Sequence, residues 1–376
     1  MKYYIIAGEA SGDLHASNLM KEIKKVDNAA VFRGWGGDKM LQQNLQLVKH
    51  YKDTAFMGFA EVLFHLRTIF NNINFCKNDI LQFHPDAIIL VDYPGFNLRI
   101  AEFAKENNFK TFYYISPQLW AWKQSRLKSI KKNIDKMFVI LPFEKKFYED
   151  RNYSVEFVGH PLLDVIHNKS HDDYKLDLIS QKDSKPLIAL LPGSRKQEIQ
   201  HMLPIMLSLV SKFRHYKFIV GGVTSVGNEF YQKIMLNHDV EIIFDQTYNL
   251  LRSADAALVT SGTASLETAL LGVPEVVCYK GSTISYMIAK KLVGKNISFI
   301  SLVNLIMNKE IVKELIQNEL TSENLSKELN LILNDSKKRE ELKNGYNELT
   351  KTLGGQGASK KTAELIYNDL SNSHEI

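Results

Sequence analysis

The stretch SGTASLE at residues 261–267 combines a turn that suits phosphate with a carboxylate that would repel it. It follows an apolar run typical of a buried strand, so the turn opens a helix whose free backbone N–H groups favour an anion. Glu267 lies about one turn inside that helix, where a carboxylate can accept hydrogen bonds from vicinal ribose hydroxyls. The pattern therefore indicates a nucleoside diphosphate, with its phosphates on the amides of Ser261, Gly262 and Thr263 and its ribose on Glu267. The alternative is a solvated helix residue.

A second turn, Pro192-Gly193-Ser194-Arg195, follows the apolar run at 187–191. Gly193 would let the backbone approach a ligand, and Arg195 offers a planar fork of donors suited to a diphosphate. The alternative is a plain turn with a solvated arginine. The chain has no Asp-x-Asp pair to hold a divalent cation, and its histidines lack metal-ligand spacing. We therefore expect neither a metal nor a cofactor.

Asp92 ends the apolar run at 87–91 and precedes Pro94, at the carboxyl end of a predicted strand. There it could accept a proton from a substrate hydroxyl as a general base, or instead cap the next helix. The first loop, at 8–13, follows another predicted strand and supplies Glu9, Ser11 and Asp13 to the same edge, where Ser11 or Asp13 could also be a helix cap.

Short β-branched or aromatic runs alternate with helical patterns along the chain, which predicts an α/β fold with parallel sheets. The candidate strands are 3–7, 87–91, 111–115, 137–141, 155–158, 187–191, 218–221, 241–244, 256–259 and 275–278. Ten strands exceed one ordinary core, so we expect two Rossmann-like domains facing across a cleft, followed by a helical C-terminal tail. The expected bounds are 1–166, 186–345 and 346–376, with the last helix packing back on the first domain.

Composition fits a soluble globular protein of 376 residues, with 45% hydrophobic and 24% charged residues. A net charge of +5 is too mild to argue for nucleic acid, and no nucleic-acid partner is expected. The two cysteines, Cys76 and Cys278, have no metal or disulfide pattern and indicate a reduced, cytoplasmic protein. From the sequence pattern we expect no signal peptide and no membrane-spanning run.

Two stretches indicate contact with a lipid surface. The apolar side chains of residues 55–75 cover far more of a helix than the ~100° stripe that packing needs, so the helix is either buried nearly all round or partly faces lipid. We place Met57 and Phe64 on the lipid-facing edge, and Leu63 and Phe70 in the core. The stretch 117–134 has no acidic residue and suits an anionic membrane surface or a solvated basic helix. Its residues of interest are Trp120, Trp122, Lys123 and Arg126.

Taken together, nine motifs resemble the lipid-A-disaccharide synthase family of GT-B glycosyltransferases. In chain order they are AGEASGD (7–13), MGFAEVL (57–63), VDYPGFN (91–97), SPQLWAWK (116–123), LPFEKKFY (141–148), FVGHPLLD (157–164), LLPGSRKQEI (190–199), SGTASLE (261–267) and GGQGAS (354–359). An ordered set over nearly the whole chain is far more specific than any single glycine-rich loop.

The resemblance implies an inverting transfer of 2,3-diacylglucosamine from UDP-2,3-diacylglucosamine to 2,3-diacylglucosamine 1-phosphate. The products would be the β(1→6) disaccharide 1-phosphate and UDP, made at the cytoplasmic face of the inner membrane as a peripheral enzyme. Asp92 then matches the family's base, and Arg195, Glu267 and Asn304 match its UDP-sugar site. Val303 stands where the family usually has proline before the asparagine.

Two other functions remain open at this point. A UDP-N-acetylglucosamine 2-epimerase shares the two-domain architecture and the glutamate–ribose site, but it acts on a soluble sugar and has no need of the apolar arc. A non-catalytic nucleotide-sugar-binding protein would keep Arg195 and Glu267 without a use for Asp92. The oligomeric state does not follow from the sequence.

Overall fold

The computed structural model describes residues 1–53, 66–120, 124–167, 185–236, 238–281 and 299–374. The chain divides into two compact units. The first unit contains Met1–Asp164 together with Leu353–Ile376, and the second unit contains Val165–Thr352. Each unit is built on its own parallel sheet flanked by helices.

The first unit has a seven-stranded parallel sheet in the order β3-β2-β1-β4-β5-β6-β7. Its strands are β1 (Lys2–Ala7), β2 (Val31–Gly36), β3 (Gln46–His50), β4 (Ala87–Val91), β5 (Lys110–Tyr114), β6 (Lys136–Val139) and β7 (Glu156–Phe157). Its helices before the second unit are α1 (Ala10–Val26), α2 (Asp38–Leu41), α3 (Leu66–Phe83), α4 (Pro94–Glu106), α5 (Leu127–Asn133), α6 (Pro142–Glu149) and the start of α7 (Pro161–His167).

Successive residues of the central strands fall on opposite faces of this sheet, as the period of two requires. Tyr4 and Tyr113 join the core that packs under helices α3 and α4. Tyr3 and Tyr114 join a second core with helix α1 and the C-terminal helix α15 (Ala358–His374). Both faces are apolar, which explains why these strands read as continuous hydrophobic runs.

The second unit has a six-stranded parallel sheet in the order β10-β9-β8-β11-β12-β13. Its strands are β8 (Leu187–Leu191), β9 (Lys217–Gly222), β10 (Glu241–Phe244), β11 (Ala256–Thr260), β12 (Glu275–Tyr279) and β13 (Lys313–Ile316). Its helices are α8 (Lys196–Leu207), α9 (Asn228–Met235), α10 (Thr247–Ser253), α11 (Thr263–Leu270), α12 (Leu302–Met307), α13 (Ser322–Asn334) and α14 (Ser336–Thr352).

The C-terminal tail belongs to the first unit because specific polar contacts tie it there. The Asp164 carboxylate accepts the backbone N–H groups of Gly357 at 2.6 Å and Ser359 at 2.9 Å, where helix α15 begins. Further along that helix, Asp369 forms ion pairs with Lys110 and Lys136 at 2.7 and 2.6 Å. The Asp164 contacts join the motifs FVGHPLLD and GGQGAS, which are nearly two hundred residues apart in sequence.

All ten predicted strands are present, and the described residues contain three further strands that were not predicted, β2, β3 and β13. Strand β2 contains two glycines and Arg33, and a side chain at Gly34 would come 1.9 Å from the Ile5 carbonyl oxygen. Strand β3 is polar, and β13 carries Lys313 and Glu314. These strands lack the apolar run that identified the others.

Helix α3 contains the described part of residues 55–75, and it corrects one of the predictions made for this stretch. Ile73, Cys76 and Ile80 form its core-facing side, whereas the Phe70 side chain is 54% exposed. Assigning Phe70 to the core was therefore wrong, because that residue lies about a quarter turn or more from the line of core contacts. Met57, Leu63 and Phe64 lie outside the described residues.

Glu275, the first residue of β12, is the least satisfied carboxyl group in the described parts of the second unit. It is fully buried, and neither of its oxygens has a hydrogen-bond partner among the described residues. Burial, with the nearby Glu314 carboxylate as a lesser cause, raises the pKa of Glu275 well above its ordinary value. Folding therefore favours the protonated form of Glu275, relative to the unfolded chain, where the carboxyl group has an ordinary pKa.

We predict that Glu275→Gln stabilises the protein more at pH 8 than at pH 5. A carboxyl group whose pKa is raised by folding stabilises the fold most at low pH, and that contribution declines as the pH rises toward the folded-state pKa. The slope is about 1.4 kcal/mol per pH unit in the window where only the folded protein is protonated. The check is the melting temperature of variant and parent across that range. Glu340→Gln, on the exposed side of helix α14, is the matched control and should show no such trend.

Candidate functional site

The end of strand β4 forms a strained turn at the Asp92 position. Asp92 and Tyr93 both adopt left-handed backbone conformations, with φ of 45° and 47°, before helix α4 begins at Pro94. For residues other than glycine this conformation costs roughly 1–2 kcal/mol each. Tyr93, not Asp92, is the N-cap of the helix, and no side chain caps it. Asp92 therefore lies at the strand end, as predicted, without serving as the helix cap.

Side-chain and backbone contacts hold this turn, which we call the Asp92 turn (Asp92 and Tyr93). The Asp92 carbonyl oxygen accepts the Tyr113 hydroxyl at 2.5 Å and Asn97 Nδ2 at 2.7 Å. The Asp92 N–H donates to the Tyr114 carbonyl at 3.1 Å, which extends the ladder between β4 and β5 by one residue. The backbone strain is thus balanced by three hydrogen bonds at a single residue.

The Asp92 carboxyl group has the electrostatic setting of a base that works near neutral pH. Burial raises its pKa to about 6, the Glu9 carboxylate adds to that rise, and the Tyr93 N–H opposes it. A carboxylate with a raised pKa holds a proton more strongly than an ordinary aspartate and is still mostly ionised at pH 7. The group can therefore accept a proton from a hydroxyl.

The first loop is shorter than predicted, because helix α1 begins at Ala10 with Glu9 as its N-cap. Glu9 and Ser11 are exposed, and Glu9 influences Asp92. Asp13 has a structural role instead. Its buried carboxylate accepts the backbone N–H groups of Gly37, Lys39 and Met40 at 2.8–3.1 Å and so fixes the start of helix α2. Glu9 and Ser11 are therefore the two exposed polar side chains that this loop contributes to the edge of the sheet. The buried Asp13 carboxylate stabilises the neighbouring backbone instead.

The loop after β5 also carries strain and a buried acid. Ile115 has a φ of 65°, which is rare for a β-branched residue. Ser116 donates to the buried Glu144 carboxylate at 2.7 Å, and Glu144 accepts the N–H groups of Ile140 and Leu141. Burial raises the pKa of Glu144 to about 7, against the lowering effect of the Ser116 hydroxyl and these amides. The contacts join the motifs SPQLWAWK and LPFEKKFY.

Of the residues expected at a lipid surface, the structure describes two. Trp120 is half-buried, with its ring edge-on to Phe143 at a centroid distance of 5.0 Å. Arg126 is half-buried at the end of a short 3-10 helix, Gln124–Arg126. The other residues predicted at that surface lie outside the described ranges: Met57, Phe64, Trp122 and Lys123.

In the second unit, a capping interaction shapes the PGSR loop (Pro192–Arg195). Glu198 Oε2 accepts the N–H groups of Ser194 at 3.1 Å and Arg195 at 3.3 Å, while Oε1 pairs with the exposed Arg195 guanidinium at 2.7 Å. Gly193 has a φ of 114°, and a side chain there would come 2.6 Å from Glu198 Oε2. Glu198 was not predicted as a site residue, although a glutamate three residues after a helix cap is a known signal.

The SGT turn (Ser261–Thr263) lies beside the PGSR loop because β8 and β11 are neighbours in the sheet. A side chain at Gly193 would be 3.4 Å from Thr260 Cγ2. Ser261 is not available to a ligand as predicted, since its N–H donates to the Cys278 carbonyl and its hydroxyl to the Ile300 carbonyl. The amides of Gly262 and Thr263 stand at the start of helix α11, where no acceptor within the helix is available to them.

Glu267 is partly buried one turn into helix α11, and it has a partner that sequence reasoning missed. The Tyr248 hydroxyl, from helix α10, donates to Glu267 Oε1 at 2.8 Å. Burial raises the pKa of Glu267, and the Tyr248 hydrogen bond opposes that rise. One carboxylate oxygen is thus oriented by Tyr248. No motif in the sequence distinguished Tyr248 from other tyrosines.

The structure corrects the assignment of Asn304 to a direct ligand contact. Asn304 is fully buried, its Oδ1 accepts the N–H groups of Ile311 and Val312, and its Nδ2 donates to Val312 O and Glu314 Oε1. Its hydrogen-bonding capacity is therefore filled within the fold. Glu314 also accepts the Ile300 N–H, and Ile300 accepts the Ser261 hydroxyl, so Asn304 braces the SGT turn indirectly.

Among the described residues, no group of three or more His, Cys, Asp or Glu side chains could hold a metal ion. Among the predicted site residues, those that can still offer a side chain or an amide to a ligand include Asp92 and Glu9 in the first unit, and Arg195, Gly262, Thr263 and Glu267 in the second. The first pair suits proton transfer. The second set suits a diphosphate joined to a group with vicinal hydroxyls.

Solved structures share this architecture over nearly its whole length. UDP-GlcNAc 2-epimerase from Neisseria meningitidis bound to UDP-GlcNAc superposes with a TM-score of 0.71 at 14% identity, covering 98% of this chain and 100% of that one. The S. aureus MnaA-UDP structure gives 0.72 at 14% identity, covering 98% and 97%. The glycosyltransferase of kitacinnamycin gives 0.65 at 13% identity, covering 98% and 99%. At such identities the likeness establishes the fold, which is of the GT-B type.

Proteins related in sequence identify the family, which the structural likeness alone does not. Lipid-A-disaccharide synthase of Syntrophus aciditrophicus is 38% identical, covering 98% of each chain, and that of Trichlorobacter lovleyi is 34% identical, covering 98% and 97%. That of Geobacter metallireducens is 35% identical, covering 97% and 96%. The family model for lipid-A-disaccharide synthetase matches residues 3–367. The chain therefore belongs to the lipid-A-disaccharide synthetase family and is a glycosyltransferase of lipid A biosynthesis.

Proposed function

We propose that this enzyme transfers 2,3-diacylglucosamine from UDP to the 6-hydroxyl of 2,3-diacylglucosamine 1-phosphate, with inversion at the anomeric carbon. The products are the β(1→6) disaccharide 1-phosphate and UDP. Family membership supports the reaction class. The observation that carries the mechanism is the setting of Asp92, at a strained strand end and with a pKa raised to about 6.

In the proposed step, the acceptor oxygen attacks the anomeric carbon of the donor sugar. The new carbon–oxygen bond forms as the bond from that carbon to the diphosphate breaks, and the hydroxyl proton passes to the Asp92 carboxylate. The bonding electrons leave with UDP. Glu9 helps because its charge makes Asp92 a stronger base.

On the donor side, Glu267 would accept the ribose hydroxyls, and the amides of Gly262 and Thr263 would bind phosphate oxygens. Arg195 would meet the negative charge that develops on the departing diphosphate. Its side chain is exposed and held close to the PGSR loop by Glu198. The proposal needs no metal ion.

Acylated substrates require a surface that meets lipid, and we place this surface on helix α3. Phe70 and Phe75 are 54% and 51% exposed there, and the Arg99 guanidinium lies 5.8 Å from the centre of the Phe70 ring. Exposed aromatic rings next to cations favour the interface of an anionic membrane. We propose peripheral attachment at the cytoplasmic face of the inner membrane. None of the described helices has the length and apolarity to cross a membrane.

We predict that Asp92→Asn lowers turnover at least ~100-fold while UDP-sugar binding is retained, because the amide cannot accept the proton. The assay supplies the UDP-sugar with and without the acyl-sugar phosphate and identifies the products by mass spectrometry. Near-normal turnover at saturating substrates would remove Asp92 as the base. Epimerised UDP-sugar formed without acceptor would instead indicate a 2-epimerase, and binding without any product would indicate a binding protein.

The pH dependence provides a second test. Because Asp92 must be ionised to act, kcat should rise with pH through about 6 and level off above it. We predict that Glu9→Gln moves this rise to lower pH, since it removes a negative neighbour, and that added salt shrinks the shift. Glu102→Gln, the same charge change at an exposed position on helix α4, is the control. An unmoved rise in Glu9→Gln would contradict the coupling.

We predict that Phe70→Ser with Phe75→Ser weakens binding to anionic phospholipid vesicles about tenfold or more, and leaves the melting temperature within a few degrees. Each half-exposed ring contributes on the order of 1 kcal/mol when its exposed part enters lipid. Leu236→Ser, at a 65% exposed apolar position in the second unit, is the matched control. Unchanged vesicle co-sedimentation of the double variant would place membrane contact elsewhere.

A further inference from the structure

The carbonyl oxygen of Asp92 is held by two side chains that the proposed chemistry does not use. Tyr113 reaches it from strand β5, at 2.5 Å, and Asn97 reaches it from the first turn of helix α4, at 2.7 Å. Both residues are fully buried. Two donors from different elements thus fix one peptide oxygen in the Asp92 turn.

Asn97 holds more of this strand end than Asp92 alone. Its Nδ2 also lies 3.3 Å from the Val91 carbonyl and 3.5 Å from the Ile6 carbonyl, where β4 and β1 run side by side. The amide therefore connects the last residues of both strands to the first turns of helix α4. A left-handed residue persists only where its surroundings determine it in this way.

The Tyr93 ring fixes the other half of the turn. A side chain at Gly8 would come 2.3 Å from the Tyr93 ring carbons, so the ring packs directly on the Gly8 backbone. That contact brings the Asp92 turn against the loop that carries Glu9. The conformation of the turn and the distance between the two carboxylates are consequently set together.

We propose that Asn97 and Tyr113 are positioning residues that hold Asp92 in its left-handed conformation and so aim its carboxylate at the acceptor hydroxyl. The inference rests on the proposed function, in which Asp92 is the base. Neither residue touches substrate in this scheme. Each acts through the carbonyl of Asp92.

Losing either donor should let the turn relax toward an ordinary backbone conformation. The carboxylate would then move toward water, and its pKa would fall toward the usual range, because burial is the largest cause of its rise. Turnover should fall because small displacements of a catalytic group have large effects on rate. Binding of UDP, which involves the second unit, should not change.

The test compares Tyr113→Phe with Tyr114→Phe. Both remove one hydroxyl from fully buried neighbouring tyrosines of strand β5, but the Tyr114 side chain lies on the opposite face of the sheet. Tyr114 contacts the turn only through its backbone carbonyl, which Tyr114→Phe leaves in place. We expect Tyr113→Phe to lower kcat 10- to 100-fold with KM changed less than about twofold. Tyr114→Phe should leave kcat within about twofold. Asn97→Ala should resemble Tyr113→Phe, and if it fails to fold, the tyrosine pair alone decides.

A carboxyl titration separates this inference from the proposed function. With ¹³C-labelled aspartate, the Asp92 signal is assigned by its loss in Asp92→Asn and titrated by NMR without substrate. The proposal holds if the pKa of Asp92 lies near 6 in the parent and falls in Tyr113→Phe but not in Tyr114→Phe. It is overturned if both variants titrate like the parent, or if both tyrosine variants lose equal kcat. Full turnover in Asp92→Asn would instead reject Asp92 as the base.

Discussion

The hydrogen bonds to the Asp92 carbonyl are the interaction on which the proposed site of the first unit depends. Parallel strands end at a common edge, so any chemistry in this unit must be built on short turns between strand ends and helices. At β4 the chain changes direction within two left-handed residues, Asp92 and Tyr93. That conformation is unfavourable by itself, and Asn97 and Tyr113 stabilise it from the buried side. The position of the Asp92 carboxylate therefore depends more on the backbone conformation of the turn than on contacts of the side chain itself.

Several polar side chains in the motifs form their hydrogen bonds within the fold and are not left for a ligand. Asp13 fixes the start of helix α2, Asp164 fixes the start of helix α15, and Asn304 fills its capacity within the loop it stabilises. Such buried groups are strongly favoured when every donor and acceptor is satisfied. A short polar motif in a βα turn can therefore mark the support of a site as readily as the site itself.

This distinction explains what the sequence could and could not predict. The buried strands were predictable because apolar runs identify them, and Asp92, Arg195 and Glu267 were chosen because strand ends and helix starts expose them. Asn304 and Asp13 were predicted as site residues, and their roles within the fold could not be predicted, because a side chain's partners depend on segments distant in sequence. Tyr248 was missed for the same reason, since its partner Glu267 lies on a different helix. Phe70 was wrongly assigned to the core because the wide apolar side of residues 55–75 includes residues that do not face the core.

Glu198 and Glu267 are two carboxylates beside the proposed donor site. They differ in how easily a ligand could displace their hydrogen-bonding partners. Glu198 pairs with Arg195 at the surface, where the Arg195 side chain is 73% exposed, and such ion pairs are worth about 0–1 kcal/mol. Arg195 can therefore exchange this contact for a diphosphate at little cost, while the amides of Ser194 and Arg195 keep Glu198 in place. Glu267 is more buried, and its bond to Tyr248 is correspondingly harder to give up. In the proposed donor site, a ribose would thus meet a pre-oriented glutamate, whereas the diphosphate would bind an arginine that leaves a weak surface ion pair.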